Sequence, residues 1–98
     1  MSSVFKALSD PTRRRVLQLL RQGPMSAGEI SDRFNVSKPT MSAHFAVLKE
    51  ADLVHAEKVG KSVLYHLKLS VLEEALLGFV QSFGLDAETP EPKRESMK

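Results

Sequence analysis

A chain of 98 residues, 42% hydrophobic and 27% charged, has room for one core of ordinary composition, which excludes a two-domain enzyme and wholesale disorder. It contains no cysteine, and this rules out a disulfide framework, a thiolate metal site and a thiol nucleophile. The net charge of +2 conceals a polarity: residues 1–68 carry 11 Lys and Arg against 6 Asp and Glu, net +5, whereas residues 69–98 carry 3 against 6, net −3. A basic body with an acidic remainder is the arrangement expected of a protein that meets a polyanion.

Val4, Phe5, Ala7 and Leu8 predict a short amphipathic helix ending at Ser9-Asp10-Pro11. Asp10 reads as the N-cap of a second helix, with Pro11 at its first position, where a missing N–H costs nothing. Val16, Leu17, Leu19 and Leu20 supply the apolar stripe of that helix, and Gly23-Pro24 stops it. Arg13, Arg14 and Arg15 crowd its positive end, a conflict that an anionic partner, solvent or Asp10 would relieve. Ser26, with Glu29 three residues on, forms a capping-box pattern for a third helix whose Ala27, Ile30 and Phe34 share a face. After a turn at Asn35-Val36, Ser37 caps a fourth helix with Pro39 in its first turn and Met41, Phe45, Val47 and Leu48 as apolar contacts. Two short amphipathic helices across a tight turn make a helix-turn-helix, the second helix carrying the recognition surface.

Beyond Ala51-Asp52 the apolar period changes to two. Strands are expected over Leu53–Lys58 and Ser62–Lys68, joined by Gly60-Lys61 into a hairpin with a basic tip. A last helix runs from Ser70 to Gly84 with Leu72, Leu76, Phe79, Val80 and Phe83 on one side and Glu73, Glu74 and Gln81 on the other. Residues 1–84 thus form a mainly α domain with a β-hairpin wing, and 85–98 a disordered polar tail. The order ααααββα is that of a winged helix-turn-helix with an added helix at each end. No stretch approaches the roughly 18 apolar residues of a membrane span, and no basic-then-apolar leader opens the chain. A cytoplasmic protein with no intrinsic membrane association is expected.

The sequence resembles the ArsR/SmtB-type bacterial transcriptional repressors in three places: Phe5 to Arg14, reading FKALSDPTRR; Ser37 to Ala51, reading SKPTMSAHFAVLKEA; and Gly60, Lys61 and Tyr65 of the wing. Within that family it is most similar to the SdpR-like autorepressor branch. The resemblance covers about residues 3–83 and implies a homodimer that represses transcription, and its own gene, from a double-stranded DNA operator. It also implies that Lys38, Thr40, Ser42 and His44 are the main groove contacts, with Ser37 donating to a phosphate. Small side chains there, Ala43 included, let a helix backbone approach base edges closely. His44 shares a helical face with Lys38 and Thr40 and is expected at the DNA. Lys58 and Lys61 of the wing are expected on the sugar-phosphate backbone or in the minor groove, and Arg13 and Arg14 on phosphates or on a solvated face.

Val4, Phe5 and Leu8 at one end, and Leu72, Leu76, Phe79, Val80 and Phe83 at the other, form apolar stripes suited to pairing two copies. A two-fold dimer of this kind presents two recognition helices to an inverted-repeat operator. His55 and His66 are positioned to face each other across the hairpin, without an evident third metal ligand. Family members that sense metals use cysteines in the third helix or Asp and His pairs in the last. Here those stretches read Gly28 to Phe34, GEISDRF, and Glu73, Glu74 and Gln81, so neither metal site nor cofactor is expected. Similarity to the SdpR-like branch suggests relief by a membrane-bound partner that sequesters the repressor. A winged-helix protein-interaction module or antagonist without specific DNA binding is the competing reading; it would carry acids or large apolar groups where Ser37, Lys38, Thr40, Ser42 and His44 stand.

Overall fold

The computed structural model describes residues 2–85; the remainder of the expected 85–98 tail lies outside the described residues. The first helix, α1 (Ser2–Leu8), turns Val4 and Ala7, three residues apart, into the core at 6% and 0% exposure. Its end is closed by Ser9, whose hydroxyl donates to the Lys6 carbonyl at 2.7 Å. Asp10, in extended conformation, then caps α2 (Pro11–Leu20), accepting from the Thr12 and Arg13 amides at 2.8 and 3.1 Å. Val16, Leu17 and Leu20 are the buried stripe of α2.

Gly23 at φ 141 swings the chain out of α2, and Met25–Ser26 forms a two-residue strand, β1. The capping box closes as expected at the start of α3 (Ala27–Ser31): the Glu29 amide donates to Ser26 Oγ at 3.0 Å and the Ser26 amide to Glu29 Oε1 at 2.9 Å. The helix is shorter than its apolar pattern predicts. Beyond Ser31 the amides of Arg33 and Phe34 bond three residues back, to Ile30 and Ser31, so Phe34 packs against the core from a turn.

Helix α4 (Lys38–Glu50) buries Met41, Phe45 and Leu48. It ends at Asp52, held at φ 61, a left-handed position that aspartate tolerates better than most residues. The strands β2 (Val54–Val59) and β3 (Ser62–Leu67) pair antiparallel from Val54↔Leu67 to Val59↔Ser62. Gly60 at φ 61 takes the first central position of the two-residue turn, as a primed hairpin turn requires. Strand β1 adds to the other edge of β3 through Met25↔Tyr65 and Ser26↔Leu64, so among the described residues the sheet has three strands in the order β1-β3-β2. The final helix, α5 (Leu69–Ser82), begins without a side-chain cap, one residue before the expected start.

The architecture is a winged helix-turn-helix, mostly helical with an antiparallel wing. Its core gathers Val16, Leu20, Ile30, Met41, Leu48 and Leu53, with Phe45 stacked on Tyr65 at 4.7 Å between ring centroids. Among the described residues no helix is long and apolar enough to cross a membrane.

Candidate nucleic-acid interface

The start of α4 is organised locally. Ser37 Oγ accepts from the Thr40 amide at 3.3 Å and donates to Thr40 Oγ1 at 2.9 Å, so the cap and the first turn support each other in solvent. Lys38, Thr40, Ser42 and Ala43 are all exposed, while Met41 and Phe45 point inward. Lys38 and Ser42, one turn apart, face the wing across an open cleft of about 360 Å³ that also touches Asp32 and Tyr65. At the wing tip Lys58 and Lys61 are exposed on either side of Gly60. Among the described residues, Lys38, Lys58 and Lys61 form no salt bridge. A helix end with small polar side chains, beside uncompensated lysines, can admit a duplex backbone and attract it.

Arg13 and Arg14, expected on phosphates or on a solvated face, and His44, expected at the DNA, all make contacts within the chain. Arg13 Nε donates to the Ala7 carbonyl at 2.9 Å and Nη2 to the Lys6 carbonyl at 2.8 Å, while Nη1 lies 3.1 Å from His44 Nδ1. Arg14 Nη1 donates to the Leu8 carbonyl at 2.7 Å. Arg13 and Arg14 thus hold the Ala7 and Leu8 carbonyls at the end of α1, and Arg13 adds a second donor to the Lys6 carbonyl that Ser9 already holds. The His44 side chain is 14% exposed and also approaches Asp10, its Nε2 3.9 Å from Oδ2. The physical reason was available in the helix period: at about 100° per residue, position 44 lies roughly 40° from Thr40 but equally about 40° from buried Leu48. Burial raises the Asp10 carboxyl, but amide donation from Arg13 and Thr12, with the electrostatic influence of the neighbouring His44 ring and Arg13 guanidinium, holds it below the usual carboxylate range.

A second surface is apolar. Along α5 and its C-cap Phe83, among the described residues, Ala75 alone is buried; Leu76, Leu77, Phe79 and Phe83 are exposed at 42, 53, 45 and 64%. Phe5 of α1 joins them, its ring centroid 4.9 Å from that of Phe79, which stands 5.0 Å from Phe83. Val4 belongs instead to the core of the chain itself, and Leu8 and Leu72 are half-buried against that core. Val80 is half-buried as well. Leu77 was not singled out in the sequence because it sits one residue off the apolar stripe. On the hairpin, His55 and His66 pair across the strands with centroids 5.9 Å apart, and His66 Nε2 lies 2.8 Å from Glu57 Oε1.

Residues 8–57 match a family described as a helix-turn-helix domain. The chain is 45% identical over 76 residues to the transcriptional repressor SdpR of Bacillus subtilis, covering 78% of this chain and 84% of that protein. It is 36% identical over 73 residues to the arsenical resistance operon repressor of Staphylococcus xylosus, covering 74% and 70%. Among solved structures, a homodimeric winged helix-turn-helix DNA-binding domain from Mycobacterium bovis, described as a possible ArsR-family regulator, superposes with a TM-score of 0.67 at 27% identity, over 93% of this chain and 86% of that one. The chain thus belongs to the ArsR-type helix-turn-helix transcriptional repressors.

Proposed function

We propose that the protein is a sequence-specific repressor that binds double-stranded DNA as a homodimer and acts on its own promoter. The observation that carries this reading is the exposed N-terminal half of α4, where Lys38, Thr40, Ser42 and Ala43 face solvent, together with wing lysines that form no salt bridge among the described residues. In this reading α4 enters the major groove, Lys38 and Ser42 reach base edges, and Ser37 serves a phosphate as well as its helix. Lys58 and Lys61 meet the backbone or the minor groove. Arg13, Arg14 and His44 act one layer behind, holding the helices that present these groups.

The exposed row Leu76, Leu77, Phe79 and Phe83, with Phe5, is the dimer face. Apolar burial contributes about 25 cal/mol per Å², so a few hundred Å² per protomer stabilises a dimer by several kcal/mol. The Mycobacterium bovis domain of the same fold is homodimeric, which supports the reading. A two-fold dimer calls for an inverted repeat with half-sites about 34 Å apart or a multiple of that. Likeness to SdpR extends the reading to autorepression and to relief by a sequestering membrane protein.

The test is a titration of the protein onto a labelled duplex from its own upstream region, repeated over salt and against bulk DNA. A steep negative log-log salt slope with clear preference for the upstream duplex is expected. Equal, weak binding to both sinks the repressor reading in favour of an interaction module.

A further inference from the structure

We infer that Arg13 and His44 are positioning residues, a clamp that locks the recognition helix to α1 and that holds while His44 is neutral. A guanidinium only donates hydrogen bonds, so the 3.1 Å contact between Arg13 Nη1 and His44 Nδ1 requires the lone pair at Nδ1. The ring proton then sits on Nε2, which faces Asp10 Oδ2 at 3.9 Å. The other arms of the same guanidinium hold the Lys6 and Ala7 carbonyls at 2.8 and 2.9 Å. One planar fork therefore joins the end of α1 to the middle of α4, and Asp10, which caps α2, closes the far side of the ring.

The clamp joins the two surfaces described above. On α1 it lies beside the segment whose Phe5 packs on Phe79 of α5 at 4.9 Å. On α4 it lies one turn beyond Thr40 and two residues beyond Ser42. A movement of the imidazole therefore moves the side chains proposed to face DNA, and this consequence rests on the DNA-binding reading. Among the described residues, the charged groups recorded against His44 are Asp10 and Arg13. Protonation places an N–H on Nδ1, donor against donor and cation against cation. The ring then keeps Asp10 and releases Arg13. The direction separates this role from direct contact: a histidine touching phosphate strengthens binding on acidification, whereas the clamp weakens it.

The experiment uses the full chain with His55→Gln and His66→Gln, which silences the wing histidines, and a fluorescein-labelled duplex of its own upstream region at constant salt. Between about pH 8 and pH 5.5 affinity is expected to fall roughly three- to tenfold. Adding His44→Gln, whose amide carbonyl accepts from Arg13 at any pH, is expected to keep tight binding and flatten the profile. Arg13→Lys, which has no fork, is expected to bind more weakly at every pH. An unchanged slope in His44→Gln overturns the clamp, as does affinity that rises on acidification only when His44 is present. Ring ¹⁵N shifts of His44 read the clamp without DNA: the neutral Nε2–H form is expected in the buffer that gives tightest binding, and the Nδ1–H form or a charged ring there overturns it. Failure of every variant to bind DNA, with the ring in the Nε2–H form, refutes the repressor reading and leaves the clamp standing.

Discussion

Helices α4 and α5 are nearly equal in length, Lys38–Glu50 and Leu69–Ser82, and both are amphipathic, yet they use their two faces in opposite ways. Helix α4 buries its large residues, Met41, Phe45 and Leu48, and shows solvent its small and polar ones. Helix α5 buries a single alanine, Ala75, and shows solvent Leu76, Leu77 and Phe79, followed by Phe83 at its C-cap. The first is a finished surface that can afford a polyanion without losing its core. The second is unfinished, because exposed aromatic clusters of this kind mark association sites. An apolar stripe at helical spacing therefore says nothing by itself about whether the chain or a partner covers it.

The difference can be broken most severely from inside. Leu48, fully buried under α4, is expected to cost about 2–5 kcal/mol of folding stability as Leu48→Ala, read by urea denaturation at a fixed protein concentration. Leu77→Ala, at 53% exposure, serves as the matched control on α5 and is expected to leave the monomer within about 0.5 kcal/mol of the parent. A large loss for Leu77→Ala in a monomeric sample erases the contrast between the helices.

A charge on the apolar face tests association. Phe79→Glu is expected to weaken dimerisation by at least a hundredfold, on the basis of about 1.5–3 kcal/mol per buried Phe counted in both protomers. Sedimentation velocity at micromolar concentration checks this, with the parent expected as a dimer and the variant as a monomer. A parent that sediments as a monomer removes α5 from the argument.

The polar face is sharpened by two lysines. Lys38→Ala is expected to cost about 1–3 kcal/mol against the preferred base at one operator position, and Lys61→Ala to weaken binding to all sequences alike while reducing the salt slope by about one. Competition against single-base operator variants separates the two. Identical behaviour in both variants means that the wing and the helix do not divide base and backbone contacts.

Smallest is the effect at the junction behind both helices. Asp10→Ala is expected to cost about 1 kcal/mol through loss of the α2 cap. The Asp10 carboxyl lies below its ordinary 3.8 in the folded chain, so its contribution is fully present above that value and fades as pH falls through the lower, folded-state one. Acid unfolding curves of parent and variant are therefore expected to differ near neutrality and to converge at low pH.

The elements legible in the sequence are those whose partners are near in the chain. The Asp10 cap, the Ser26 and Glu29 capping box, the Ser37 cap and the Gly60 turn each involve residues within four positions, and each is found in the structure. The hairpin register, including His55 opposite His66, follows from a two-residue turn and an alternating pattern. Strand β1 was not legible, since two residues, Met25 and Ser26, become a strand only by pairing with β3 some forty positions away. Its physical cause is an edge of β3 left open, not a local preference.

The split of charge along the chain, the helix-turn-helix and the basic wing were determined by the sequence itself, because composition and short-range hydrogen bonding decide them. Which side of each helix is free was decided by tertiary packing. Arg13 and His44 stand 31 positions apart and meet where α2 and α4 pack beside the end of α1. Val4 and Phe5 are adjacent, yet one is core and the other meets Phe79. A helix period places residues on faces with a tolerance of about half a turn's width, and neighbouring helices determine whether water, protein or a partner lies opposite.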